Sequence, residues 1–162
     1  MKFTEKVQKQ FELAGWTKDR NVKQKYENAN ILRFDDFPDF LKEFLYEYGD
    51  LTIDVIKSFE SKVISKIKLG VEYAGYEDLE DYDDDINMVG KMLYPFAFHN
   101  TDTPMIACDE EGKVYMLGDY VYRISDTFKE GIEILVTYDW SKGFYQLDED
   151  TGKWTKNKRW DD

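Results

Sequence analysis

Five stretches of the chain repeat apolar residues at three- and four-residue steps, the spacing that gives a helix one buried face. Phe3, Val7, Phe11 and Ala14 make the first, with Gly15 placed to stop it. Trp16 and Arg20 follow in a loop, with Trp16 expected to plug the core beside that helix, and Val22, Tyr26 and Ala29 suggest a short second helix. The third is the clearest: Phe37, Phe40, Leu41, Phe44, Leu45 and Tyr48. Asp36 is expected to cap it, Pro38 to occupy its first turn and Gly49 to end it in the left-handed conformation. Leu79, Tyr82, Ile86, Val89 and Leu93 predict a fourth helix. Phe128, Ile132 and Leu135 predict a fifth, capped by Ser125 or Asp126.

Between these stretches the pattern is that of strands. Leu51-Thr52-Ile53 leaves the third helix as a strand, whereas residues 55–69 fit both periods: Val63, Ser65, Ile67 and Leu69 alternate, but Val55, Ile56, Phe59, Val63 and Ile67 also make a helical stripe. Tyr94-Pro95-Phe96 opens a β region. Met105 to Cys108, a turn at Asp109-Glu110-Glu111-Gly112 and Val114 to Leu117 predict a hairpin, and Gly118-Asp119 turns the chain into Tyr120 to Ile124. Phe144 to Leu147 and Lys153-Trp154-Thr155, joined by a polar turn, predict a second hairpin, followed by a basic, aromatic end at Lys156 to Trp160. Trp154 and Trp160 could fold back onto the sheet or face a partner. Residues 1–137 read as one domain and residues 138–162 as a C-terminal appendage.

Composition narrows the function. The 162 residues, 42% hydrophobic and 17% aromatic, suffice for one core rich in Phe and Tyr. No long apolar run predicts a membrane span, the start of the chain lacks a signal-peptide pattern, and Cys108 alone excludes an internal disulfide framework, so a cytoplasmic protein is expected. The net charge of −12 opposes binding to nucleic acid or to anionic membranes and favours a basic protein partner.

Catalytic groupings are scarce. His99 is the single histidine, so a nucleophilic site would have to be assembled from it with Cys108 or a serine, and its setting reads as a solvated loop. Neither a phosphate-cradling glycine loop nor a paired-cysteine zinc pattern occurs. Asp81, Asp83 and Asp85 match the start of a calcium loop, but Ile86 stands where glycine is needed and Met92 where a bidentate glutamate is needed. No metal or cofactor is expected. What remains is the fourth helix, where Glu77, Asp78, Glu80, Asp81, Asp83, Asp84 and Asp85 place seven carboxylates within nine residues. The macrodipole favours negative charge at that end, and the run is equally consistent with a merely solvated face.

The order of these pieces resembles the third subfamily of the SUKH superfamily of bacterial immunity proteins, over roughly residues 11 to 137. Leu13-Ala14-Gly15-Trp16 with Arg20 and Val22 is similar to its opening signature. Phe40 to Leu45, ending in Tyr48-Gly49-Asp50-Leu51-Thr52, resembles a helix leading into a Gly-Gly-Leu-type turn, with Asp50 in place of the second glycine. Leu93-Tyr94-Pro95-Phe96 resembles a Leu-x-Pro step, and Ile106 to Tyr115 a strand–Asp-x-x-Gly-x-Val-Tyr hairpin. The Phe-Asp-Pro-like stretch expected near Ile67 to Tyr73 is not recognisable, and everything after Thr137 lies outside the pattern. The resemblance implies an α+β fold, a single domain with helices packed on a curved, mostly antiparallel sheet. It also implies a non-enzymatic role, binding and neutralising a cognate toxin such as a nuclease, and it supplies no site residues. Physical reasoning adds that carboxylates on a rigid helix could occupy a basic groove as phosphates would. The seven acidic residues are therefore the expected partner-binding residues. Alternatives are a regulatory scaffold of the same fold and a carboxylate-metal hydrolase.

Overall fold

The computed structural model describes residues 1–29, 31, 33–57, 62–70, 79–99 and 105–157; of residues 79–82 and 85 it describes the backbone alone. Helices α1 (Glu5–Leu13), α2 (Lys23–Asn28) and α3 (Asp39–Tyr48) precede strands β1 (Thr52–Lys57) and β2 (Lys62–Leu69). Helix α4 (Leu79–Val89) is followed by β3 (Tyr94–His99), β4 (Met105–Cys108), β5 (Val114–Leu117) and β6 (Val121–Ser125). Helix α5 (Phe128–Thr137) and a hairpin of β7 (Phe144–Asp148) and β8 (Lys153–Asn157) complete the described chain. The eight strands form one open sheet in sequence order, each antiparallel to its neighbours. The fold is α+β.

The period-2 reading prevails in the described residues 55–57 and 62–69. Ile53 pairs with Ile67 and Val55 with Ser65, which turns Ile53, Val55, Ile67 and Leu69 toward one core; residues 58–61 lie outside the described residues. That core joins one face of the sheet to α1, α3 and α5, and its centre is aromatic. Phe44 lies 5.0 Å from Phe128 and 6.3 Å from Phe96, while Phe11 lies 4.4 Å from Tyr48. Such contacts add about 0.5–1.5 kcal/mol each beyond the area they bury.

The opposite face carries a smaller cluster of Leu93, Ala107, Tyr115, Leu117, Val121 and Leu147, against which Ile86 and Val89 of α4 and Trp154 of β8 pack. Strand alternation explains the division: Val114 faces the large core, whereas its neighbour Tyr115 faces the small one. The sheet is therefore sandwiched unequally, with helices over one face and α4 on the other.

Two of the motifs singled out in the sequence meet in space. Trp16 stacks on Tyr48 at 5.7 Å and 7°, the Arg20 guanidinium donates to the Gly49 carbonyl at 2.7 Å, and the Val22 amide donates to the Tyr46 carbonyl at 2.8 Å. The opening signature thus clamps the end of α3.

Several expectations require correction. Gly49 is not left-handed; its φ of −58° suits any residue. It is required by space, because a Cβ there would sit 2.3 Å from both the Leu45 carbonyl oxygen and the Tyr26 hydroxyl. The left-handed residue is Asp50, at φ 62°, held by an ion pair with Lys25 at 2.6 Å. Aspartate tolerates that region better than most residues. Asp36 belongs to a 3-10 turn, Phe34–Asp36, and Pro38 precedes α3 as its cap. The cap of α5 is Thr127, whose side chain accepts from the Glu130 amide, while Ser125 donates to the Thr127 carbonyl. His99 is no loop residue: it ends β3, is 9% exposed, and its Nε2 lies 3.0 Å from Ser65 Oγ.

Candidate functional site: the outer face of the sheet

Helix α4 positions the acidic residues. Its apolar side rests Ile86 and Val89 on the outer cluster, and it stops at Gly90, whose φ of 74° admits the left-handed turn; the Gly90 amide donates to the Ile86 carbonyl at 2.8 Å. The helix is therefore shorter than the stripe implied. Leu93 joins the same cluster from the segment before β3, not from α4.

Of the seven predicted contact residues, Asp83 and Asp84 stand exposed on α4. Glu80, Asp81 and Asp85 lie on the same helix, with their side chains outside the described residues, as are those of Leu79 and Tyr82. Glu77 and Asp78 lie outside the described residues altogether, as does Trp160. The calcium-like stretch from Asp81 to Asp85 is helical, so it is not shaped as a coordinating loop. Among the described residues no three His, Cys, Asp or Glu side chains converge as a metal site.

The residue missed by sequence reading is Asp109. It reads as a turn residue in Asp-x-x-Gly, yet its side chain is fully buried. Oδ1 accepts the amides of Glu111 and Lys113, each at 3.0 Å. Oδ2 accepts the Tyr115 hydroxyl at 2.9 Å and faces Lys91 Nζ at 3.4 Å. Lys91 also donates to Glu111 at 2.8 Å, so the residue after the α4 stop is bound to the β4–β5 turn. Burial, and then the charge of Asp109, hold the Tyr115 phenol far above its ordinary value. Hydrogen bonds from Lys113 and Lys91 lower the Glu111 carboxyl to about 2.

Beyond α4 the outer face becomes aromatic and cationic. Register sets Tyr115 opposite Arg123, Arg123 opposite Tyr145 and Tyr145 opposite Lys156, so these four side chains form one row across β5 to β8. The Arg123 guanidinium lies 4.4 Å from the Tyr145 ring centre and 5.4 Å from that of Trp154. Lys156 Nζ lies 5.6 Å from the Tyr145 ring centre, and Trp154 packs 6.1 Å from Tyr115. Trp154 thus folds back onto the sheet.

Cys108 and His99 do not form a catalytic pair. Cys108 pairs with Tyr94, five residues from His99 on β3, a separation of about 16 Å at the usual strand rise. Burial raises the Cys108 thiol well above its ordinary value, the reverse of nucleophilic activation.

An open antiparallel sheet with helices on one face and an acidic helix on the other defines an α+β protein. Residues 3–138 match the family model described as SUKH-3 immunity protein. The chain belongs to the SUKH-3 immunity protein family. Neither the curated proteins nor the solved structures gave a match.

Proposed function

We propose that this chain acts in the cytoplasm as an immunity protein that binds a cognate bacterial toxin and silences it by covering its working face, without catalysis of its own. Family membership over residues 3–138 carries this reading. The acidic helix α4 is the leading contact, because it displays Asp83 and Asp84 on a chain of net charge −12. A toxin that handles nucleic acid needs a basic groove, and carboxylates fixed on a helix occupy such a groove with few side chains to order. Steering between opposite charges raises association to about 10⁸–10⁹ per molar per second at low salt.

The test is charge reversal at two exposed positions. Asp83→Lys with Asp84→Lys should leave the fold intact, because both side chains are exposed and stand beyond the first turn of α4, where the macrodipole has little effect. Cells co-expressing the cognate toxin should then lose protection. Full protection by the folded double variant would remove α4 from the interface.

A further inference from the structure

We propose that Arg123, Tyr145, Trp154 and Lys156 form a second docking patch, one that receives a carboxylate-bearing segment of the toxin and sets partner specificity. The inference rests on the immunity reading and adds to it a contact of opposite sign on the same side of the sheet. Arg123 is already ordered. The Tyr145 and Trp154 rings lie 4.4 Å and 5.4 Å from the guanidinium, and its side chain is only 20% exposed. Its donors are poorly used within the chain. The Asp126 carboxylate approaches Nε at 3.4 Å but is not aligned for a hydrogen bond, and Nε is buried without an acceptor. A planar set of donors fixed in this way binds a carboxylate while losing little freedom. Lys156 is exposed beside it and supplies a second cation.

Charge and composition select the occupant. Arg, Trp and Tyr are the residue types that dominate protein–protein hot spots. A long polyanion would be repelled by the chain's charge of −12, whereas a single carboxylate on a protein partner would meet Arg123 and Lys156, with the exposed Asp126 carboxylate as its competitor for Arg123. The origin of the patch points to specificity: the family match ends at residue 138, and Tyr145, Trp154 and Lys156 all lie beyond it. The shared scaffold supplies Arg123, and the added hairpin supplies its rings and the second charge.

Binding kinetics of the cognate toxin domain, rendered inactive, provide the test against wild type, Lys156→Glu, Arg123→Gln and the α4 double variant. Lys156→Glu alters an exposed side chain and serves where Arg123→Gln loosens the hairpin. Both should raise the dissociation rate at least about 10-fold while the melting temperature of Lys156→Glu stays at the wild-type value. The α4 variant should instead slow association. Unchanged dissociation in both patch variants, with tight wild-type binding, would overturn the patch and leave the α4 reading standing. A silent α4 variant beside a damaged Lys156→Glu would do the reverse. Absence of wild-type binding would overturn both. An oligonucleotide that binds wild type and is lost with Lys156→Glu would overturn the patch in favour of nucleic acid.

Discussion

Asp109→Ala removes a carboxylate that is fully buried and accepts from two main-chain amides and the Tyr115 hydroxyl, with Lys91 alongside. Tyr115 is itself buried, so its hydroxyl loses its acceptor where water cannot easily follow, at a cost of about 1–3 kcal/mol. The amides of Glu111 and Lys113 sit nearer the surface, and solvent recovers part of what they lose. Breaking a buried, charged hydrogen-bonded group typically costs about 3–5 kcal/mol, and the two estimates together place this variant near 3–5 kcal/mol. For a domain of this size that lowers the melting temperature by about 6–20 °C, at about 2–4 °C per kcal/mol. Tyr115→Phe deletes one donor and leaves the carboxylate its other partners, so it should cost about 1–2 kcal/mol. The double variant should cost less than the sum of the two, because both lose the same bond. Urea titrations of the four proteins measure all of this. An Asp109→Ala stability within about 0.5 kcal/mol of wild type would mean that the buried carboxylate does not hold the turn.

Gly49→Ala should destabilise by about 1–3 kcal/mol through overpacking against Tyr26 and the Leu45 carbonyl, read as a lower urea midpoint with unchanged slope. Glu111 titrates near 2 in the folded chain against an ordinary value of 4.5, so its contribution is present above about pH 5 and lost as pH falls toward 2. The stability gap between wild type and Glu111→Gln should therefore shrink across that window and stay constant above it, which urea midpoints at several pH values would show. Cys108, fully buried with its thiol raised, should react with a thiol reagent only on global unfolding; rapid labelling of the native chain would contradict its placement.

Most of the scaffold was legible because periodicity and punctuation coincide in it. The stripes of α1 and α3 and the β4–β5 hairpin fall where the spacing places them. What the sequence concealed depends on contacts between distant residues. A glycine before a turn suggests positive φ, but Gly49 is small because Tyr26 from α2 comes against it. The stripe to Leu93 continues beyond α4 because strand and helix feed the same cluster. Asp109 is spaced like any turn aspartate, and its burial follows only when Lys91 and Tyr115 converge on it. The family-like motifs proved to be mutual clamps, as Arg20 on Gly49 illustrates. That explains why they identify the fold and carry no information about the partner surface.

On the immunity reading the toxin sits on the outer face of the sheet. Hydrogen exchange of this chain, alone and saturated with the inactivated cognate toxin domain, reports on that placement. Exchange should slow in α4 and in β6 to β8, with α1 and α3 unchanged. Protection confined to α1, α3 and α5, with α4 and the hairpin exchanging as in the free chain, would contradict it.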